Sequence, residues 1–243
     1  MIFIITGVSR GLGEALALQC LENGDQVIGI GRSHSIKSEN FKFLECDLND
    51  LQSIESMDLP IPKGEVTLVN NAGIIGEIGR LSELSQSSLE EVLRVNTIAP
   101  QMLLDKVYKK VKNKSDFTLV NISSGAANRS IPSWAAYCAS KAALNMLSEN
   151  FYLEEQELGH HCKVYAVAPG VIDTGMQTQI RAADSKDFSA VQNFISMKEN
   201  KDLFSADEAA RRLLKLLSLP YSGEIFNLRV RSRYVIRSVR VSD

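Results

Sequence analysis

Thr6-Gly7-Val8-Ser9-Arg10-Gly11-Leu12-Gly13 is the stretch from which the rest of this chain can be read. It follows the apolar run Ile2-Phe3-Ile4-Ile5 and precedes Glu14-Ala15-Leu16-Ala17-Leu18-Gln19-Cys20-Leu21, an order of strand, glycine-rich turn and helix. Gly7 permits the tight turn, Gly11 lets backbone approach a pyrophosphate, and Gly13 allows the helix to pack closely on the strand. The helix N-terminus then offers free amides to the anion, and Asn23-Gly24 provides the helix stop. Three spaced glycines alone are a weak signal. Between a strand and a helix they predict a dinucleotide-binding turn.

Working outward, further strands are expected near 26–30, 41–45, 66–70, 117–122, 163–168 and 224–228, and helices near 88–111, 135–157 and 206–219. Strands alternating with helical stretches argue for a parallel sheet covered on both faces. The expected fold class is α/β: a single doubly wound (Rossmann) domain over 1–243, with a parallel sheet of about seven strands and helices on both faces. No repeat or linker marks a second domain. The segment 173–203 is polar and loosely periodic, with Met176 and Met197. It follows the sixth strand at the edge where open α/β sheets bind ligands. It reads either as a lid over a substrate or as a surface helix pair.

Composition removes several function classes. A length of 243 residues with 44% hydrophobic content suits one domain with a substantial core. A formal charge of −2 gives no electrostatic case for nucleic acid or an anionic membrane. No apolar run approaches the ~20 residues of a membrane span, and Met1 leads straight into the first strand, leaving no room for a signal peptide. Cys20, Cys46, Cys138 and Cys162 show no C-x-x-C pairing and read as reduced thiols, so a cytoplasmic protein is expected. His34, His160 and His161 lack the spaced carboxylate or thiol partners of a metal site, and no metal is expected.

A second constellation lies between Asn121-Ile122-Ser123-Ser124-Gly125 and Tyr137-Cys138-Ala139-Ser140-Lys141. Tyr137 and Lys141, four residues apart, share one helical face. A phenol near pKa ~10 is a poor proton donor at neutral pH, and a fixed ammonium beside it favours the phenolate. Ser124, at the end of a hydrophobic strand, supplies a hydroxyl for a substrate oxygen. Tyr-x-x-x-Lys also occurs by chance on solvated helices, so its weight comes from the dinucleotide turn upstream.

These elements resemble the short-chain dehydrogenase/reductase family over nearly the whole chain. The match runs through Thr6-Gly7-x-x-x-Gly11-x-Gly13, Cys46-Asp47-Leu48, Asn70-Asn71-Ala72-Gly73, Asn96, Ser124, Tyr137-x-x-x-Lys141 and Pro169-Gly170-Val171-Ile172-x-Thr174. The resemblance implies a catalytic tetrad of Asn96, Ser124, Tyr137 and Lys141. Tyr137 would protonate a carbonyl oxygen, Lys141 would lower its pKa and hold the nicotinamide ribose, Ser124 would polarise the carbonyl, and Asn96 would hold a water linking Lys141 to solvent. It implies a cofactor site of Gly7, Ser9, Arg10, Gly11, Leu12, Gly13, Arg32, Asp47, Leu48, Asn71, Ala72, Gly73, Tyr137, Lys141, Pro169, Gly170, Val171, Ile172 and Thr174. Gly31 stands where the family's NAD-users carry an aspartate, and Arg32 and Arg10 offer guanidinium to a 2′-phosphate, so NADPH is expected over NADH.

Within the family, the stretches around Ser124, Trp134–Cys138 and 168–177 look like the sepiapterin reductase and bacterial benzil reductase branch, and 176–188 is especially like benzil reductase. That implies NADPH-dependent reduction of an aromatic ketone or 1,2-diketone. Trp134 and Met176 would be pocket residues, or Trp134 equally a core-packing one, and Asn227 would stand where sepiapterin reductases carry an acid. Pteridine reduction is the nearest alternative, and an NADPH-sensing binding protein is one of another class. The family often dimerises through its tyrosine-bearing helix and the neighbouring one, here with Leu93, Leu103, Leu104, Leu144, Leu147 and Phe151 either as apolar contacts of a homodimer or all facing the sheet. The stretch 228–243 alternates five arginines with apolar residues and reads as a strand extension, an edge cover or a tail.

Overall fold

The computed structural model describes residues 1–111 and 113–221. The expected strand at 224–228, Asn227 and the arginine-rich stretch lie outside the described residues. The elements run β1 (Ile2–Thr6), α1 (Gly11–Glu22), β2 (Gln26–Gly31), β3 (Phe41–Glu45), α2 (Leu51–Ser56), β4 (Val66–Asn70), α3 (Gln86–Leu93), a π-helical turn (Arg94–Ile98), α4 (Ala99–Tyr108), β5 (Phe117–Ile122), α5 (Ala135–Glu157), β6 (Lys163–Val167), α6 (Gly175–Arg181), α7 (Val191–Glu199) and α8 (Ala206–Leu217). Among the described residues the six strands are all parallel, in the order β3-β2-β1-β4-β5-β6.

The apolar runs explain the order. Every residue of β1 and β4 is buried, as strands covered on two faces require, whereas β3 forms the sheet edge and is only half covered. Alternation along each strand then sorts side chains into two cores. Phe3 and Ile5 join Val69, Val120 and Tyr165 under α1 and α8; Ile2 and Ile4 join Leu68, Phe117 and Leu119 under α2 and α4, with Phe151 of α5 against that core. Truncating a fully buried member such as Ile4 to alanine should cost about 2–5 kcal/mol.

Two expectations about the helices need correction. The helix foreseen at 88–111 is broken by the π-helical turn at Arg94–Ile98. The α-helical donor for the Asn96 carbonyl would be the amide of residue 100, and Pro100 has none. The second concerns the foreseen dimer contacts. Leu103, Leu104 and Leu144 are buried within the protomer, and Phe151 packs on its core. The large apolar side chains that α4, α5 and the π-helical turn leave exposed are Ile98, Met146 and Leu153.

Candidate active site

Between β1 and β4 the strand order reverses direction, and the loops at the carboxyl ends there enclose a cleft of about 1390 Å³. At its floor lies the glycine turn. Gly7 and Gly11 have φ of 74° and 65°, a region that favours glycine. At Gly13 an added Cβ would sit 2.2 Å from the Gly7 carbonyl oxygen, so α1 starts as close to β1 as backbone allows. Helices α2, α3 and α8 are capped by the side chains of Asp50, Ser85 and Ser205, but Arg10 at the start of α1 makes no side-chain cap. The first amides of α1 are thus left for an anion.

Asn71 braces this turn. Its Nδ2 donates to the Thr6 carbonyl at 2.8 Å and the Gly7 carbonyl at 3.3 Å, while the Thr6 hydroxyl accepts from the amides of Asn71 and Ala72 at 3.0 and 2.9 Å. Asn70 instead ties β4 to β5, donating to Asn121 at 2.8 Å. A Cβ on Gly31 would meet nothing nearer than 4.0 Å, so the end of β2 leaves room beside Arg32. The Arg10 guanidinium lies against Gly175, 3.4 Å from where a Cβ there would stand, and so bridges the glycine turn to the start of α6. These features fit a nicotinamide dinucleotide: a glycine cradle, an uncapped helix N-terminus and open space at the ribose end of β2.

The second constellation meets the first across the cleft. Ser124 follows β5 and accepts from the Ala126 amide at 3.1 Å, which fixes its hydroxyl. Tyr137 sits in the first turn of α5, almost wholly buried, and lines the cleft together with Ser124. Lys141, also buried, donates to the Ile122 carbonyl at 2.8 Å, with its Nζ 5.9 Å from the Tyr137 ring centroid. Burial lowers the Lys141 pKa to about 8. For Tyr137 the sequence expectation of a depressed phenol does not hold: burial pushes it up, and the Ser124 hydrogen bond only partly opposes this. Desolvation is the largest of the influences on the phenol.

Asn96 is fully buried and does not line the cleft. Its Nδ2 donates to the Ile74 carbonyl at 2.8 Å and to Ser140 Oγ at 3.0 Å, while its Oδ1 accepts from the Ile74 amide at 2.9 Å. The side chain therefore clasps the segment after β4 to α5. Ser9, Arg10, Leu12, Arg32, Asp47, Leu48, Asn71, Ala72, Gly73 and 169–172, together with Thr174, line the cleft; Gly13 is not among its lining residues.

Beside Tyr137 the cleft is lined by Trp134, Met176, Ile75, Ile131, Ile180 and Phe194. Trp134 stacks on Phe188 at 5.2 Å and meets Tyr137 edge-on at 5.8 Å. The segment 173–203 folds as α6 and α7 over a third apolar cluster built from Trp134, Tyr137, Ile180, Phe188 and Val191. Its ends are pinned: the Phe204 amide donates to the Val171 carbonyl at 3.0 Å, and the Asp173 amide to the Phe204 carbonyl at 2.9 Å. Asp173 also pairs with Lys198 of α7 and Arg181 of α6. Sequence reading missed Phe188 and Phe194 as partners of Trp134, because no local period marks a cluster assembled from segments that distant.

An open parallel sheet with this glycine turn and this Ser-Tyr-Lys arrangement defines a dinucleotide-binding oxidoreductase of the Rossmann type. The short chain dehydrogenase family model matches residues 1–185, and the chain belongs to that family. It is 35% identical over 239 residues to benzil reductase ((S)-benzoin forming) of Bacillus subtilis, covering 94% of this chain and 98% of that protein. It is 33% identical over 187 residues to the NADPH-dependent pterin aldehyde reductase of Arabidopsis thaliana, covering 72% and 76%. A short chain dehydrogenase/reductase crystal structure from Saccharomyces cerevisiae superposes with a TM-score of 0.79 at 26% identity, covering 94% and 96%. Among the described residues no helix is long and apolar enough to cross a membrane.

Proposed function

We propose that this chain is an NADPH-dependent carbonyl reductase acting on aromatic ketones or 1,2-diketones, with benzil to benzoin as the test reaction. The observation that carries the reading is that Ser124, Tyr137 and buried Lys141 line the same cleft as the glycine turn.

When bound, NADPH supplies the hydride that goes to the carbonyl carbon. Tyr137 gives its phenolic proton to the carbonyl oxygen; burial keeps that proton in place at neutral pH. Ser124 donates to the same oxygen and stabilises the charge that develops on it. Lys141, cationic below about pH 8, offsets the phenolate left on Tyr137 and has donors remaining for the nicotinamide ribose. The main-chain carbonyl of Asn96 holds the water that returns a proton towards Lys141. Arg32 and the open space at Gly31 favour the 2′-phosphate, and α6 and α7 act as a lid that keeps water from the reacting atoms.

A second reading is favoured by the similarity to a pterin aldehyde reductase. Cofactor oxidation measured with benzil and sepiapterin side by side separates the two. Turnover of benzil with little on sepiapterin supports the diketone reading, and the reverse moves the substrate to a pteridine. We also propose a homodimer that packs α4 and α5 against their copies.

A further inference from the structure

Tyr137 and Lys141 are followed on α5 by a third polar side chain that reaches the end of β5. Asn145, four residues beyond Lys141, continues the same stripe of the helix. Lys141 Nζ donates to the Ile122 carbonyl at 2.8 Å, and Asn145 Oδ1 accepts from the Ser123 hydroxyl at 2.5 Å. Ser123 is buried and is held from the other side as well, its amide donating to the Val167 carbonyl of β6 at 2.7 Å. Ser123 and Ser124 both line the cleft, whereas Asn145 is not among its lining residues. A serine hydroxyl has one proton to give. Ser123 gives its proton to Asn145, while Ser124 accepts from the Ala126 amide at 3.1 Å and keeps its own for a substrate oxygen.

We propose that Asn145 is a positioning residue for carbonyl reduction, setting through Ser123 the place of the Ser124 hydroxyl relative to Tyr137. This rests on the carbonyl-reductase reading above. Ser124 sits on the segment leaving β5 and Tyr137 on α5, so their separation follows from what ties strand to helix there. Lys141 grips Ile122, the last residue of β5, and Asn145 grips the residue just before Ser124. Lys141 also serves the phenol and the nicotinamide ribose in that reading. Asn145 touches neither cofactor nor substrate, and its part is geometric. The hydroxyls of Ser124 and Tyr137 have to converge on one oxygen, and a small displacement of either costs rate steeply.

Two substitutions cut the same bond from opposite ends. Asn145→Leu keeps the size of the side chain and removes the acceptor; Ser123→Ala removes the donor without touching α5. Each should lower kcat on benzil about tenfold, with NADPH affinity by titration within about twofold of wild type. The combined variant should lose no more than either single one, and Asn145→Leu should cost little further in a Ser124→Ala background. A full additional loss in that background, or wild-type kcat in Ser123→Ala, would refute the role. The pH profile of kcat should keep its wild-type midpoint; a displaced midpoint would show that Lys141 had moved instead, and would also refute it. If Asn145→Leu fails to fold, Ser123→Ala alone decides by the same criteria. A wild-type protein that reduces no dicarbonyl would remove the carbonyl-reductase reading and this proposal with it. Active wild type with equally active variants would sink only the positioning role.

Discussion

Gly31 and Arg32 place the choice of cofactor on two adjacent residues. The position needs no glycine for steric reasons, since an added Cβ would meet nothing nearer than 4.0 Å. Gly31→Asp should therefore fold normally, put a carboxylate where a 2′-phosphate would lie, and shift the NADPH-to-NADH preference by about 100-fold through like-charge repulsion; kinetics with both cofactors check this. Tyr137→Phe removes the proton donor while keeping the ring, so turnover should drop about 10²–10⁴-fold with NADPH binding still measurable by titration. Lys141 carries a pH signature. Its native pKa of about 8 lies below the ordinary 10.5, so between these values the unfolded chain binds more protons than the native one. Stability of the free protein must then rise with pH across that window, and below it the cost of the buried ammonium is felt in full. The melting temperature of wild type minus that of Lys141→Met should grow more positive from about pH 8 to about pH 10. A flat difference would show that the ammonium is not desolvated.

At the scale of elements, the glycine turn is the least forgiving part of the molecule. Gly13→Ala would set a methyl 2.2 Å from the Gly7 carbonyl oxygen and 2.4 Å from Asn71 Nδ2. The start of α1 would have to move away from β1, breaking the brace Asn71 makes to Thr6 and Gly7. A loss of about 3 kcal/mol is expected by denaturant unfolding, together with weakened NADPH binding. This turn was legible because its chemistry is local: glycines, a strand before, a helix after. The strands were legible for a related reason, since a strand buried on both faces is apolar at most positions, as β1 and β4 are apart from Thr6, Thr67 and Asn70. The π-helical turn at Asn96 was not anticipated, although Pro100 carried its signal by withholding an amide from the Asn96 carbonyl. The segment 173–203 gave only a loose pattern because α6 and α7 bury their apolar residues on Trp134 and Tyr137, far away in sequence. The same distance effect misdirected the Tyr137 pKa: helical spacing showed the lysine beside the phenol but not the burial that outweighs it.

At the scale of the whole molecule, the open question is what covers the outer face of α4 and α5. Sequence periodicity could list apolar residues on these helices but not say which of them the sheet would claim. Leu103, Leu104 and Leu144 are spent inside the protomer, leaving Ile98, Met146 and Leu153 at 41%, 58% and 48% exposure. Apolar side chains grouped on neighbouring helices are costly to hydrate, and pairing this face with its own copy about a two-fold axis hides both sets at once. The mass in solution should then be about twice the 26.8 kDa of one chain. Met146→Lys with Leu153→Glu should yield monomers by light scattering with unchanged helix content, because neither side chain belongs to a core. A wild type that runs as a monomer at micromolar concentration would refute the dimer. A double variant that stays dimeric would place the contact on another face.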